Sequence, residues 1–332
     1  MKSLPLRSVP PAPSGLPLPA PVPARPRRAV AFCCDDRYLP YALFAASQIA
    51  GQAPQRDFDI CLCGTEKPVI PDSLAGLGLR AIALAPEPAL AGFGLDARRS
   101  ESAYHRLLLP GQLAADYDRI LYLDSDIFVQ GGDIAALLGA DLGGHAVAAV
   151  RDNPQWRTPG RMPEEFRTFR LGPARYLNSG VLLIDVPRWQ KLGLTERMLA
   201  FGQSRGGQLK RHDQTLLNCV LHGDWAELSP KWNWQYSRAA RLHEAMLGAN
   251  IVHFIGPEKP WNAPAGALPP RFGAELSRFL RQHFPQRATA LPPEGTGPGS
   301  RKMLSMLLRH LLNRRKMARY LARFPTDLTL RP

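Results

Sequence analysis

The sequence predicts an α/β fold built on a mixed, mostly parallel sheet that is flanked by helices. Two observations lead to this prediction. Short apolar runs, typical of buried strands, alternate with segments that have helical spacing. Polar residues stand where these runs end, as they do at the carboxyl edge of a parallel sheet. With 332 residues and 45% hydrophobic content, the chain can bury a sizeable core in one large domain or two.

The first part of the folded region has a regular alternation of strands and helices. Strands are predicted at residues 29–34, 58–63 and 80–84. A helix is predicted at 41–49 and ended by Gly51, and a short helical segment begins at Pro71. Strands separated by helices in this way are typical of parallel pairing.

The alternation continues over the next part of the chain. A helix over 100–109 carries Tyr104 and Arg106. Further strands are predicted at residues 120–129, 146–150, 176–185 and 250–254, the third of them interrupted by the polar residues 178–180. One helix is predicted to begin at Pro187, because proline suits the first helical turn. Another is predicted at residues 215–220, after His212.

Composition narrows the class of partner. Lys and Arg outnumber Asp and Glu by 42 to 28, a net charge of +14 that indicates an anionic partner. The basic excess is concentrated in two terminal segments and the core has no nucleic-acid-binding motif, so no specific nucleic acid is expected.

The five cysteines form no C-x-x-C pair, which favours buried reduced thiols over a zinc site. No apolar run is long enough for a transmembrane helix.

Three segments are predicted from the changes in composition. Residues 1–27 are a Pro-rich disordered tail, 28–268 the folded domain, and 269–332 a linker with a basic amphipathic helix near 301–324. Residues 301–326 contain no acid. An apolar stripe beside a basic face that has no acidic residue favours contact with an anionic membrane. The alternative is that this helix packs on its own folded domain.

Two aspartates in the strand at 120–129 are the centre of the predicted site. Asp124 and Asp126 share one face of an extended backbone. Adjacent carboxylates repel each other, and a hard divalent cation relieves the repulsion. His253, at the end of an apolar run, is a plausible third ligand, and this mixed set suits Mn²⁺ better than Mg²⁺. A strand that simply ends in a polar turn is the alternative.

Other polar residues join these ligands at the predicted strand ends. They are Asp35, Asp36, Asp152, Asn178, Asp213, Gln214 and Lys259. One such residue is explained by a turn or a helix cap, but so many on different elements indicate a shared binding edge. Lys259 lies just beyond His253 and offers an ammonium group to a phosphate.

The motifs together resemble glycosyltransferase family 8, the retaining enzymes of the GT-A, Rossmann-like fold, and within it the bacterial lipopolysaccharide galactosyl- and glucosyltransferases. The matching motifs stand in family order within residues 29–262, at 32–38, 104–107, 121–126, 176–184, 212–218 and 253–261. The basic C-terminal helix is similar to the membrane-attachment segment of the bacterial members. Arg37 departs from the family pattern, in which asparagine is frequent, and Ser179 stands where alanine is common.

The resemblance implies a role for each matching position. Asp35 and the backbone of Cys33 hold uracil and ribose, and Asp124, Asp126 and His253 bind Mn²⁺, with Mg²⁺ as the alternative. Phosphate charge is neutralised by Lys259, Gly256 and Arg106. The donor sugar is bound by Asn178 and Ser179, and the sugar chemistry rests on Asp213, Gln214 and Asp152.

The implied activity is transfer of galactose or glucose from a UDP-sugar to a saccharide or glycolipid acceptor, such as lipopolysaccharide. The implied location is the cytoplasmic face of the inner membrane, as a peripheral protein. Three alternatives remain open from the sequence. They are a phosphatase of the haloacid dehalogenase type, a basic nucleic-acid-binding protein and a scaffold without activity.

Overall fold

The computed structural model describes residues 27–90, 93, 102–237, 239–264, 266–289, 291 and 297–332. The predicted Pro-rich tail, except Arg27, lies outside the described residues, as do the first two residues of the helix predicted at 100–109. Within the described residues, no helix is long and apolar enough to span a bilayer.

The strands and helices alternate as predicted. The strands are β1 (Arg28–Cys33), β2 (Asp59–Gly64), β3 (Leu79–Ala83), β4 (Arg119–Leu123), β5 (Ile127–Val129), β6 (Val147–Arg151), β7 (Leu177–Asp185), β8 (Ala226–Leu228), β9 (Trp234–Gln235), β10 (Ile251–His253) and β11 (Leu330–Arg331). The helices are α1 (Leu39–Gln52), α2 (Ser102–His105), α3 (Leu109–Gln112), α4 (Ile134–Leu138), α5 (Glu164–Thr168), α6 (Val186–Lys191), α7 (Leu194–Arg205), α8 (His212–Leu221), α9 (Arg241–Leu247), α10 (Pro270–His283), α11 (Pro285–Ala288) and α12 (Ser300–Leu321).

Two sheets carry the fold. The main sheet has the order β11-β8-β6-β7-β4-β1-β2-β3. Its pairings are parallel except those of β7 with β4 and β6 and that of β11 with β8. The small sheet has the order β5-β10-β9. The mixed, mostly parallel sheet predicted from the sequence is confirmed.

Apolar side chains of β1 alternate between two cores, one on each face of the main sheet. Val30 and Phe32 join the core that contains residues of α1, α10 and α12. Ala29 and Ala31 join the core that contains residues of α6, α7 and α8. Helices on both faces bury almost every residue of the central strands β1, β4, β6 and β7, which explains why these sequences are mainly apolar. All five cysteines are free and buried.

The aspartate-containing run is not one strand, which corrects the sequence prediction. It divides into β4, in the main sheet, and β5, in the small sheet, with Asp124 and Asp126 in the bend between them. The small sheet then brings His253 back, because β10 pairs antiparallel with β5 and places His253 opposite Ile127.

Three further element predictions need correction. Strand β7 is continuous through residues 178–180, so these residues do not interrupt it as predicted. Helix α1 begins earlier than predicted, with Pro40 in its first turn, and continues past Gly51. The helix predicted over 100–109 ends at His105, so that Arg106 follows it.

The C-terminal segment is tied to the main sheet. Glu227 of β8 is completely buried, and it accepts hydrogen bonds from Arg151 (2.6 Å), Tyr320 (2.8 Å) and Arg323 (3.0 Å). Asp327 accepts hydrogen bonds from Trp232 and Asn250, and β11 extends the sheet. A buried carboxylate requires such partners, so Tyr320, Arg323 and Asp327 attach the end of the chain to the folded core.

Candidate metal and donor site

The predicted site residues meet at one edge of the main sheet. Asp124 and Asp152 follow β4 and β6, at the carboxyl ends of these strands. Asn178 and Ser179 lie near the start of β7, which reaches the same edge because β7 runs antiparallel to β4 and β6. Asp213 lies in the first turn of α8, with its side chain buried.

Three side chains form a candidate metal site. His253 Nε2 lies 3.2 Å from Asp126 Oδ1 and 3.6 Å from Asp124 Oδ2. One ligand atom from each of the three residues lies within 4.8 Å of the others. Neighbouring ligands of an octahedral Mg²⁺-sized ion lie about 3 Å apart, so this set fits a divalent cation with small adjustments. Two carboxylates and an imidazole also match the donor types expected of Mn²⁺.

Gly180 makes room for two of these ligands. A Cβ atom at this position would lie 2.2 Å from His253 Cε1 and 2.8 Å from Asp124 Oδ2. Any side chain here would therefore displace the imidazole and the carboxylate. The backbone of Gly180 also accepts a hydrogen bond from the Asp124 amide, at 2.9 Å, which fixes the start of the bend.

Lys259 lies beside the metal site. Its ammonium group forms an ion pair with Asp126 and donates a hydrogen bond to the Phe254 carbonyl. Burial by itself would raise the pKa of Asp126, but the neighbouring Lys259 and His253 outweigh burial and lower the pKa below its ordinary range. Asp126 therefore stays ionised, as a metal ligand must.

Arg106 bridges the metal site and the predicted catalytic residues. It lies 2.9 Å from Asp124 Oδ1 and 3.3 Å from Asp213 Oδ2, and donates to the Ser179 carbonyl at 2.8 Å. Although burial opposes the charge, the two carboxylates raise the pKa of Arg106. Tyr122 lies under this guanidinium and donates to Asp124 Oδ1 at 2.7 Å. Arg106 therefore holds together Asp124, a candidate metal ligand, and Asp213, a predicted catalytic residue.

A chain of buried amides connects the remaining residues. Gln214 Nε2 donates to Asp152 Oδ2 (3.2 Å), and Asn178 Nδ2 donates to Gln214 Oε1 (3.3 Å). Asn233 Nδ2 donates to Asn178 Oδ1 (2.8 Å), and Asn233 Oδ1 lies 3.0 Å from His253 Nδ1. Burial raises the pKa of Asp152, against the opposing effect of Arg211, which lies 3.6 Å away. The residues predicted to bind the sugar and the candidate metal ligands thus belong to one hydrogen-bonded network.

The other predicted donor-binding residues lie further along the same strand ends. Cys33 is buried at the end of β1, and Asp35 accepts a hydrogen bond from the Tyr38 amide at the start of α1. Gly256 is exposed, in the loop between β10 and Lys259. Trp261 stacks on Tyr41 of α1 with ring centroids 3.7 Å apart, which holds this loop against the helix. Within the described residues, no hydrogen bond or ion pair joins Asp35 or Gly256 to the metal ligands.

Three residues of the site were not predicted from the sequence. Gly180 lies in the segment that the sequence predicts as a polar interruption of the strand, although its position near Asn178 is a usable signal. Tyr122 reads as an ordinary strand residue. Asn233 lies between two tryptophans in a segment without a recognisable motif, so nothing in the sequence indicated its contact with His253.

Comparison with known proteins places these observations in context. The model of the family described as glycosyl transferase family 8 matches residues 29–265. General stress protein A of Bacillus subtilis (strain 168) is 34% identical over 179 residues, which cover 49% of this chain and 60% of that protein. Lipopolysaccharide 1,2-glucosyltransferase of Escherichia coli (strain K12) is 31% identical over 174 residues, 49% of this chain and 50% of that protein. The chain therefore spans less than two thirds of the length of either relative.

A solved structure has the same fold. It is that of galactosyltransferase LgtC in complex with donor and acceptor sugar analogues. The TM-score is 0.59 at 22% sequence identity, and the match covers 83% of this chain and 99% of that one. The sheet and its flanking helices therefore have the GT-A arrangement predicted from the sequence.

Proposed function

The chain belongs to glycosyltransferase family 8, and from this premise we propose that it is a retaining hexosyltransferase. The donor is a UDP-sugar carrying galactose or glucose, and the acceptor is a saccharide or glycolipid. The observation that carries this proposal is the site formed by Asp124, Asp126 and His253 next to the buried Asp152–Gln214 pair. The family match over residues 29–265 favours this activity over a phosphatase or a nucleic-acid-binding role.

In this proposal, Asp124, Asp126 and His253 would hold a divalent cation, and the donor diphosphate would bind beside them. Mn²⁺, or Mg²⁺ as the alternative, offsets the negative charge of the leaving diphosphate when it is bound. Lys259 adds a positive charge at the same place. Asp35 and the Cys33 backbone contact the nucleoside, and Gly256 lets the phosphates approach the loop. Arg106 contributes its positive charge through its contacts with Asp124 and Asp213.

We infer that the acceptor attacks from the face that the diphosphate leaves. The bond from the anomeric carbon to the phosphate oxygen breaks while the bond to the acceptor oxygen forms, and the departing phosphate takes the acceptor proton. A covalent intermediate needs a nucleophile, and the Gln214 carbonyl oxygen already accepts hydrogen bonds from Ser179 N and Asn178 Nδ2. Asp213 is engaged with Arg106 at 3.3 Å. Both residues are therefore better placed to orient the sugar.

The identity of the acceptor is inferred from the relatives. A lipopolysaccharide glucosyltransferase and the galactosyltransferase LgtC are both similar to this chain, so a lipopolysaccharide or another cell-surface glycan is the acceptor that we propose. The same relatives leave glucose and galactose as the two donor sugars. The proposed location is the cytoplasmic face of the inner membrane, with the protein bound peripherally.

The experiment is a thermal-shift and turnover assay with a panel of UDP-sugars. UDP with Mn²⁺ should stabilise the protein by about 2.7 kcal/mol at a ligand concentration of 100 times Kd, and one UDP-hexose should release UDP. Asp126→Asn should abolish both effects. Asp141→Asn, which changes an exposed aspartate that is not one of the site residues, serves as the control. Absence of any shift with UDP and Mn²⁺ in the wild type would refute the proposal and leave the inactive scaffold.

Helix α12 supports the membrane part of the proposal. Its inner face packs on the folded domain through Met306, His310, Met317 and Tyr320. A second apolar face is exposed, and its residues are Met303, Leu304, Leu307, Leu308, Leu311 and Leu312. Leu312 is 81% exposed. Exposed leucines in a helix that carries many basic residues and no acidic one suit an interface with anionic lipid.

Substitution tests this interface better than deletion, because the end of the segment belongs to the core. Leu304→Ser, Leu308→Ser and Leu312→Ser combined should weaken binding to vesicles of phosphatidylglycerol, with little effect on stability. Val69→Ser with Met246→Ser removes equally exposed apolar residues elsewhere and should leave binding unchanged. Equal vesicle binding by the two combined variants would contradict the proposed membrane role.

A further inference from the structure

Two backbone amides determine the orientation of the buried amide network. Ser179 N–H donates to Gln214 Oε1 at 3.2 Å, and Gly180 N–H donates to Asn178 Oδ1 at 3.1 Å. The oxygen and nitrogen of a side-chain amide can be exchanged by rotation, but a backbone N–H can only donate. Gln214 Oε1 and Asn178 Oδ1 must therefore be the atoms that face the amides of Ser179 and Gly180.

The same constraint passes to Asn233 and then to His253. Since Asn178 Oδ1 is the acceptor, Asn233 must present its NH₂ group there, at 2.8 Å. Asn233 Oδ1 is then left facing His253 Nδ1, at 3.0 Å. An amide oxygen can only accept, so Nδ1 carries a proton and Nε2 is the ring atom available to a cation. Nε2 is the atom that lies beside Asp124 and Asp126.

We propose that Asn233 is a positioning residue that holds His253 in its metal-binding tautomer and connects the metal ligands to the sugar-binding amides. Asn233 is completely buried at the end of a 3₁₀ turn over Pro230–Asn233, so its side chain has one fixed place. Partners of metal-bound histidines orient the ring and raise its basicity. This inference rests on the proposed function, because it assumes that Asp124, Asp126 and His253 bind a divalent cation.

Three variants separate this role from a purely structural one. Asn233→Leu removes the acceptor for His253 and the donor for Asn178. Asn233→Asp keeps an acceptor for His253 Nδ1 but has no donor for Asn178. Asn250→Leu is the matched control, because Asn250 is also buried but bonds to Asp327 away from the site.

The measurement is Mn²⁺ affinity in the presence of UDP, followed by the electron paramagnetic resonance signal of free Mn²⁺. Asn233→Leu should weaken Mn²⁺ binding by about 10- to 100-fold. Asn233→Asp should bind Mn²⁺ close to the wild-type value while the KM for the UDP-sugar rises, and Asn250→Leu should match the wild type. Equal losses of Mn²⁺ affinity in both Asn233 variants, or no loss in either, overturn the inference.

Nitrogen NMR of the wild-type protein with ¹⁵N-labelled histidine provides a test that does not depend on any variant folding. With UDP and diamagnetic Mg²⁺ bound, the His253 ring should carry its proton on Nδ1. A ring protonated at Nε2 would overturn the inference. A wild type that binds neither UDP nor Mn²⁺ would instead refute the proposed function, so the two failures are distinguishable.

Discussion

Substitution of Gly180 by alanine tests directly whether close packing of His253 and Asp124 matters. The added methyl carbon would lie 2.2 Å from His253 Cε1, 2.7 Å from His253 Nδ1 and 2.8 Å from Asp124 Oδ2. Carbon atoms pack at about 3.5 Å or more, so the ring must move by about 1.3 Å. Gly180 lies in a continuous strand and is not among the positive-φ glycines, so the alanine backbone itself is tolerated.

The expected effect on metal binding follows from this displacement. Metal–ligand distances tolerate changes of only about 0.2 Å, so a shift several times larger should remove His253 from the ligand set. Mn²⁺ affinity, measured by electron paramagnetic resonance with UDP present, should fall by at least about tenfold. Overpacking should also cost about 1–3 kcal/mol in the free energy of unfolding, measured with urea.

Gly51→Ala is the control for adding a methyl group. Gly51 lies in α1 with no atom within 4 Å of its Cβ position, and alanine is favoured over glycine in a helix by up to about 1 kcal/mol. This variant should keep wild-type Mn²⁺ affinity and be slightly more stable. If Gly180→Ala also binds Mn²⁺ with wild-type affinity, the assigned ligand geometry is wrong.

Two further predictions concern stability. Arg151→Ala removes a cation that lies 2.6 Å from the completely buried Glu227, and should cost about 3 kcal/mol in urea unfolding; an unchanged unfolding midpoint would contradict the importance of this pair. Burial, with a smaller effect of His310, lowers the pKa of His243 from 6.5 to about 4. The unfolded chain therefore takes up this proton at a higher pH than the folded one, so the contribution of neutral His243 to stability is present above pH 6.5 and is lost as the pH falls towards 4. His243→Phe should flatten the decline of Tm over this range, and an identical pH profile would refute the assignment.

Much of the site was predictable because its chemistry is local in sequence. Asp124 and Asp126 follow an apolar strand, and Asp152 follows another, so the parallel sheet implied that they share an edge. His253 could be predicted as a third metal ligand because it stands at the end of an apolar run, where its imidazole can join the two carboxylates. The motifs in family order then identified the family.

The division of the 120–129 run into two sheets could not be predicted. Both halves have the same apolar, β-forming composition, and only their partners, β7 for one and β10 for the other, distinguish them. The apolar positions of α12 could not be sorted either. Met317 and Leu312 are both apolar residues of this helix, but Met317 is 1% exposed and Leu312 is 81% exposed because only one of them faces the folded domain.

The sequence by itself determined the fold class, the family and the residues of the candidate metal site, because strand periodicity and motif order are properties of the chain. Only the tertiary structure decided how these residues are held. Arg106 lies between Asp124 and Asp213, Gly180 leaves space for His253, and Asn233 orients that ring. Each of these contacts joins residues far apart in sequence, and their geometry depends on distances that no local pattern encodes.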